Sequence, residues 1–114
     1  MPIPNKPRIG LILCDDVDES ARQQYGTYAR MFQDSLDPNQ ENFDLVPIRC
    51  FEGETLPDPG DFDGYVISGS RYSVYEDRQW ISDLLEFVRQ CWAREVRVVG
   101  ICFGHQVIAH ALGG

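Results

Sequence analysis

The stretch VVGICFGHQ, residues 98–106, decides the fold because an apolar strand pattern runs directly into a helix pattern at a cysteine. The apolar run over 96–101 predicts a buried strand. A helix is predicted over 104–112, where the two following glycines supply a typical terminator. Cys102 therefore lies in the sharp turn between a strand and a helix, and a cysteine at such a turn is a candidate nucleophile.

The residues around Cys102 have the glycine-x-nucleophile-x-glycine spacing of a nucleophile elbow. Gly100 and Gly104 would let the backbone close tightly, and the helix N-terminus would favour the thiolate of Cys102. The N–H of Phe103 would point to where an oxyanion forms. A structural cysteine in a tight turn is the alternative, and the position between strand and helix favours the nucleophile.

Strand and helix patterns alternate along the rest of the chain. Further strands are predicted over 8–14, 43–51 and 65–67, and helices over 19–36 and 77–94. The apolar positions of the two helices are Ala21, Tyr25, Tyr28, Ala29, Phe32 and Leu36 in the first, and Ile81, Leu84, Leu85, Val88 and Trp92 in the second. This alternation predicts an α/β fold, a parallel sheet with helices on both faces of the flavodoxin-like type.

The predicted spatial order of the strands is second, first, third, fourth. Pro47 cannot donate to a ladder, so the strand over 43–51 belongs at one edge, and right-handed crossovers put the strand over 96–101 at the other. That last strand is apolar, and an unpaired apolar edge invites aggregation. We therefore expect a sheet that is incomplete on its C-terminal side. Either residues 8–114 are the N-terminal part of a larger domain, or self-association or a partner covers the 96–101 edge.

Composition limits the classes of function. The 114 residues carry a net charge of −8, and 43% of them are hydrophobic. A packed core is expected, whereas nucleic acid and an anionic membrane surface are not expected partners, because both require clustered Lys and Arg. No apolar run reaches the ~20 residues of a membrane span. Residues 1–7 are expected to form an extended leader rather than a signal peptide, so we expect a cytoplasmic protein.

The four cysteines are widely spaced and include no Cys-x-x-Cys pair. Neither a zinc site nor a disulfide framework is indicated, and no metal is predicted. Cys14, Cys50 and Cys91 fall in strand and helix patterns and are expected to be packed thiols. The sequence has no phosphate-binding loop and no dinucleotide fingerprint, so no cofactor is predicted.

Beyond these patterns, the sequence resembles the class I glutamine amidotransferase family over almost its whole length. GICFGHQ at 100–106 resembles the family's nucleophile motif, and ISGS at 67–70 resembles the oxyanion loop after its third strand. Three further stretches are similar to the GMP-synthase-like branch, which includes the plant γ-glutamyl peptidases: SRYSVYED at 70–77, QWI at 79–81 and YGTY at 25–28.

The resemblance implies a Cys-His-Glu triad in which Cys102 attacks a γ-glutamyl amide carbonyl and forms a γ-glutamyl thioester. It implies that the backbone N–H groups of Phe103 and Ser70 hold the oxyanion. Many family members have glycine where Ser70 stands, a change that keeps the backbone donor. Gly69 and Gln106 match positions that serve the glutamyl moiety, although Gln106 also fits a helix-surface amide. The implied substrate is glutamine or a γ-glutamyl small molecule.

The family's catalytic His and Glu lie in a His-x-Glu motif far downstream of the cysteine, beyond residue 114. The sequence holds two histidines. His105 stands at a position that is not the base in the family. His110 follows Cys102 by about 12 Å along a helix axis, too far for a hydrogen bond of about 3 Å. We therefore expect a chain that holds the nucleophile without the base and is inactive alone.

Two other classes stay open. One is a non-catalytic flavodoxin-like binding or interaction module that retains the elbow as structure. The other is a different cysteine-elbow enzyme, the ThiJ/PfpI type, in which a histidine follows the cysteine directly. Phe103 occupies that place here, which counts against this type.

Overall fold

The computed structural model describes residues 6–16 and 19–113. The strands, all in one sheet, are β1 (Arg8–Ile12), β2 (Asp44–Ile48), β3 (Gly64–Ile67) and β4 (Arg97–Gly100). The helices are α1 (Glu19–Tyr25), α2 (Tyr28–Leu36), α3 (Gln79–Ala93) and α4 (Phe103–Ala111), and short 3-10 turns lie at Cys50–Glu52 and Pro59–Asp61. The α/β fold is confirmed. The leader predicted over 1–7 falls mainly on residues 1–5, outside the described residues.

All three strand pairings are parallel, and the strands lie in the order β2-β1-β3-β4, as predicted. Pro47 lies in the edge strand β2, opposite Leu11 of β1. An edge strand needs ladder partners on one side only, so the missing N–H of Pro47 is tolerated there. In the described part of the chain, β4 forms the opposite edge.

Helices lie on both faces of the sheet, although α2 has no buried residue. On one face, α3 and α4 pack on a core built from side chains that alternate along the strands: Ile12, Ile48, Tyr65 and Ile67 from the sheet, Ile81, Leu84, Phe87, Val88 and Cys91 from α3, and Phe103, Val107 and Ala111 from α4. On the other face, Leu11 and Pro47 lie opposite Ala29 and Gln33 of α2, across a cavity of about 410 Å³.

The single helix predicted over 19–36 is wrong, because the chain breaks into α1 and α2 at Gly26 and Thr27. Gly26 has a φ of +84°, the left-handed region in which glycine alone is unstrained. Thr27 then caps α2, and its hydroxyl oxygen accepts the N–H of Arg30 at 3.3 Å. The apolar spacing continues through the break, so periodicity alone could not reveal it.

The apolar face predicted for the next helix needs a smaller correction. Trp92 is 71% exposed, whereas Phe87 and Cys91 are buried. Trp92 is eight positions beyond Leu84, which rotates it about 80° from that residue around the helix axis. The stripe that meets the sheet is therefore centred between Leu84 and Val88, and Trp92 lies on its rim. Cys14, Cys50 and Cys91 are all buried, as predicted.

Within the described ranges the longest helix, α3, has 15 residues. None of the helices there combines the length and the apolar character that crossing a bilayer requires.

Candidate active site

The turn from β4 to α4 holds Cys102 in a strained backbone conformation. Its φ is 51° and its ψ is −106°, in a region that side chains other than glycine rarely adopt. A residue held in such a conformation costs about 1–3 kcal/mol, and such residues cluster at functional sites. Cys102 directly precedes Phe103, the first residue of α4, so its thiol lies at a helix N-terminus.

Two glycines make this turn sterically feasible. A Cβ built on Gly100 would lie 2.3 Å from the carbonyl carbon of Gly104. A Cβ built on Gly104 would lie 2.4 Å from the backbone oxygen of Ile67 in β3. Both distances are far below any van der Waals contact, so backbone atoms fill the space that a side chain would need. The glycine spacing around Cys102 thus has a direct packing reason.

Cys102 differs from the other three cysteines in its exposure. It is exposed, whereas Cys14, Cys50 and Cys91 are buried. Burial raises the pKa of Cys91 to about 11. A hydrogen bond with the Cys50 thiol, together with burial, raises the pKa of Cys14 far above its ordinary value. Cys102 is therefore the thiol that a substrate in solvent can reach.

The loop after β3 lies against the Cys102 turn. β3 and β4 pair in parallel up to Ile67 and Gly100, so their carboxyl ends lie side by side. A methyl group placed on Gly69 would lie 3.8 Å from the Cβ of Cys102, an ordinary van der Waals distance. The structure therefore brings Gly69 beside the cysteine, and Ser70 follows Gly69 in the same loop.

Two backbone N–H groups in this region lack a protein acceptor. Within residues 6–16 and 19–113, no oxygen accepts the N–H of Ser70 or that of Phe103. The Phe103 side chain is buried, and its ring lies 5.9 Å from that of Trp80. Burial of the ring anchors the first turn of α4, and the N–H of Phe103 has no protein acceptor in the described ranges.

Gln106 lies on the first turn of α4, and its backbone N–H donates to the carbonyl oxygen of Cys102 at 3.1 Å. Its side chain is exposed. Neither histidine makes a hydrogen bond to Cys102 among the described contacts. His105 is exposed, and the His110 ring packs against the Tyr75 ring at a centroid distance of 5.2 Å. The described part of the chain therefore gives the Cys102 thiol no hydrogen-bond partner.

Asp15 is a residue of this region that the sequence reasoning missed. It follows β1, is buried, and accepts the N–H of Arg71 at 3.0 Å. The sequence does contain a signal for this residue, because the acidic pair Asp15 and Asp16 directly follows the strand predicted over 8–14. The carboxyl ends of neighbouring parallel strands lie together, and β1 is the neighbour of β3.

Known proteins with similar sequences include γ-glutamyl peptidases and a subunit of a glutamine-hydrolysing GMP synthase. γ-Glutamyl peptidase 3 of Arabidopsis thaliana is 36% identical over 115 residues, which cover 98% of this chain and 45% of that protein. A glutamine-hydrolysing GMP synthase component from Saccharolobus solfataricus is 40% identical over 53 residues, 46% of this chain and 27% of that protein. The chain spans less than half the length of these relatives.

A solved structure shows the same fold. The crystal structure of a glutamine amido transferase from Methylobacillus flagellatus superposes with a TM-score of 0.70, at 23% identity, over 96% of this chain and 40% of that one. The sequence family described as glutamine amidotransferase class-I matches residues 23–114, which include the loop after β3 and the Cys102 turn. The predicted resemblance is confirmed, and the chain belongs to the class-I glutamine amidotransferase family.

Proposed function

We propose that Cys102 is the nucleophile of a γ-glutamyl amide hydrolase, either a glutaminase or a γ-glutamyl peptidase. The observation that carries the proposal is an exposed cysteine in a strained turn at a helix N-terminus, beside a loop with an unpaired N–H. In a nucleophile elbow, the strained turn holds the side chain of the nucleophile exposed to the substrate. The γ-glutamyl peptidase relatives support the choice of substrate class.

The proposed chemistry passes through a thioester. The Cys102 sulfur, after losing its proton to a base, attacks the γ-carbonyl carbon, and the carbonyl π electrons move to oxygen. The tetrahedral intermediate then expels ammonia or an amine, which takes a proton, and leaves a γ-glutamyl thioester on Cys102. Water attacks that thioester, which releases glutamate and restores the thiol.

The proposed oxyanion donors are the N–H groups of Phe103 and Ser70. Their support is that each lacks a protein acceptor in the described ranges and that Gly69 packs against Cys102. Loss of one such donor typically lowers a rate by about 10²–10³-fold. Gly69 would leave room for the substrate carbonyl, and the exposed amide of Gln106 on the first turn of α4 would contact the glutamyl moiety.

The base is the missing part of the proposed machinery. His105 and His110 make no hydrogen bond to Cys102 in the described ranges, and His110 packs on Tyr75. We propose that residues 8–114 form the N-terminal part of a glutamine amidotransferase-like domain. A His-x-Glu motif from outside these 114 residues would supply the base, so the chain alone would not turn over substrate.

A turnover assay tests this proposal. Glutamine and a γ-glutamyl dipeptide are offered to the 114-residue chain and to a chain extended by a segment that carries the family's His-x-Glu motif. We expect turnover by the extended chain, abolished by Cys102→Ala, and none by the shorter chain. Robust turnover by the shorter chain, lost on Cys102→Ala, would contradict the missing base. A folded extended chain without turnover would favour the non-catalytic binding module.

We also propose a reducing, cytoplasmic location. In the described structure three buried thiols form no disulfide, which is typical of a compartment that keeps cysteines reduced. The net charge of −8 supports a small γ-glutamyl substrate rather than nucleic acid as partner. The proposed reaction needs no cofactor.

A further inference from the structure

Asp15 joins the end of β1 to the loop after β3. One carboxylate oxygen, Oδ2, accepts the backbone N–H of Arg71 at 3.0 Å. The other, Oδ1, accepts the N–H of Asp16 at 2.8 Å and lies 3.3 Å from Nη2 of Arg71. The side chain of Asp15 is only 6% exposed. A carboxylate withdrawn from water to this extent requires such partners, so the loop and Asp15 constrain one another.

Ser70 is fixed on two sides by the same end of β1. Its hydroxyl donates to the carbonyl oxygen of Cys14 at 2.8 Å and accepts the N–H of Tyr72 at 3.1 Å. The peptide that follows Ser70 is fixed through the Arg71 N–H on Asp15. The side chain of Ser70 and the peptide that follows it are therefore both fixed by hydrogen bonds. The backbone N–H of Ser70 has no acceptor in the described chain.

We infer that Asp15 is a positioning residue, which holds the loop after β3 so that the Ser70 N–H faces the substrate carbonyl at Cys102. The inference rests on the proposed function and adds to it a residue that does not touch the substrate. Gly69 connects the loop after β3 to the Cys102 turn, because it precedes Ser70 and packs against Cys102. Preorganised donors stabilise an oxyanion because they need not reorient during the reaction.

The backbone bond, rather than the ion pair, carries this role. The Arg71 side chain is 70% exposed, and ion pairs at such exposed positions contribute little. The bond from the Arg71 N–H has an ordinary length of 3.0 Å, is partly buried, and belongs to the residue that directly follows Ser70. Removing the Arg71 side chain should therefore leave the loop in place, whereas removing the Asp15 carboxylate should release it.

Two reagents, of which only one forms an oxyanion, distinguish loss of the oxyanion donor from a general loss of Cys102 reactivity. A γ-glutamyl aryl ester acylates Cys102 when sulfur attacks its carbonyl carbon, the oxyanion forms, and a phenolate leaves. In mildly alkaline buffer, hydroxide takes the thiol proton, so no protein base is needed. Iodoacetamide alkylates the same sulfur by displacement of iodide and forms no oxyanion. The readout is the ratio of the ester rate to the iodoacetamide rate at Cys102, measured by peptide mass spectrometry on the 114-residue chain.

Asp15→Ala should lower this ratio by about tenfold, a fraction of the 10²–10³ that loss of a whole donor costs. Asp15→Asn keeps the shape and one acceptor oxygen, so it should lower the ratio less while the chain stays folded. Arg71→Ala should leave the ratio within about twofold. Asp16→Ala is the matched control, because its carboxylate is 5% exposed and binds the Tyr28 N–H and the Arg49 guanidinium.

The outcomes separate this inference from the proposed function. If wild-type Cys102 reacts with iodoacetamide but never with the ester, the proposed function fails and the inference falls with it. If the wild type is acylated and both Asp15 variants keep its ratio, the inference alone is overturned. It is also overturned if Asp16→Ala or Arg71→Ala lowers the ratio as much as Asp15→Ala does. A folded Asp15→Asn chain with a selectively lowered ester rate supports it.

Discussion

Cys102 shows how much one residue depends on its neighbours. Its φ of 51° is maintained between two glycines, and backbone atoms fill the space where their side chains would lie. The spacing of Gly100 and Gly104 predicted the turn, because the close approach of these two glycines is local in sequence. The second close approach, of Gly104 to Ile67, is to the adjacent strand. The contact between Asp15 and Arg71 spans 56 positions, so no local pattern could give it.

Gly100→Ala should destabilise the fold because its Cβ would lie 2.3 Å from the backbone of Gly104. We expect a loss of about 3 kcal/mol or more in the free energy of unfolding, the upper end of the usual cost of overpacking, because the clash is with backbone atoms. Gly53→Ala is the control, since nothing lies within 4 Å of its Cβ position and its φ of +88° is the remaining penalty. That variant should lose about 1–2 kcal/mol, the cost of a left-handed backbone for a residue with a Cβ. Urea denaturation of both variants measures the difference, and equal losses would contradict the steric account of the turn.

The exposure of Cys102 gives a second prediction at the residue scale. With limiting iodoacetamide, Cys102 should be alkylated roughly tenfold or more faster than any other cysteine, because the reagent reaches an exposed thiol far more readily than a buried one. Cys14 and Cys91 are 0% exposed and Cys50 is 2% exposed. Peptide mapping measures the four rates, and denatured chain supplies the control in which they converge. Equal labelling in the folded chain would favour a structural role for Cys102.

At the scale of elements, sequence patterns predicted the strands well and the first helix badly. Pro47 marked the edge strand because a missing N–H restricts its position in a ladder. The break at Gly26 was not predicted, since a glycine inside an apolar repeat is also compatible with a continuous helix. Helical spacing assigned Trp92 to the apolar face, but the residue is exposed. Where the buried stripe ends depends on where the sheet stops, which is a property of the tertiary structure.

The end of α2 gives a prediction about pH. The Asp37 carboxylate accepts the N–H groups of Asn42 at 3.0 Å, Phe43 at 3.2 Å and Glu41 at 3.3 Å. Burial alone would raise the pKa of Asp37, but these donors outweigh it and hold the pKa below its ordinary value. A lowered folded pKa stabilises the fold above the unfolded value of about 3.9. That contribution is lost as pH falls through the folded value.

Asp37→Asn should therefore lower the melting temperature by several degrees at pH 7, and the gap to wild type should shrink as pH falls below about 4. Thermal melts followed by circular dichroism across this range provide the measurement. Asp34→Asn, which changes a 63% exposed carboxylate on the same helix, is the control and should have little effect. A gap between Asp37→Asn and wild type that is independent of pH would contradict the assignment.

At the scale of the whole molecule, β4 is an edge strand of the described sheet with apolar side chains exposed on and beside it. Val99 of β4 is 59% exposed and Ile101 is 40% exposed. On the other side of the strand, Trp92 and Leu112 line an apolar groove of about 630 Å³ between α3 and α4. An unpaired edge flanked by apolar surface is a template for association with another chain.

The 114-residue chain should therefore self-associate through this edge. We expect sedimentation velocity to show a weight-average mass that rises with concentration, and Val99→Lys to shift it toward monomer, because a charged edge resists pairing. Ser82→Lys, on the exposed face of α3, is the control and should leave the association unchanged. A monodisperse monomer that binds no hydrophobic dye would contradict the proposal.

The proposed function depends on a γ-glutamyl thioester at Cys102 and on a base supplied from outside these 114 residues. The most direct measurement is mass spectrometry of the intact chain and its peptides after exposure to a γ-glutamyl aryl ester in mildly alkaline buffer. We expect one γ-glutamyl group per chain, on Cys102, which persists and is absent from Cys102→Ala. An acyl group spread over Cys14, Cys50 and Cys91, or a folded chain that stays unlabelled at Cys102, would contradict the claim.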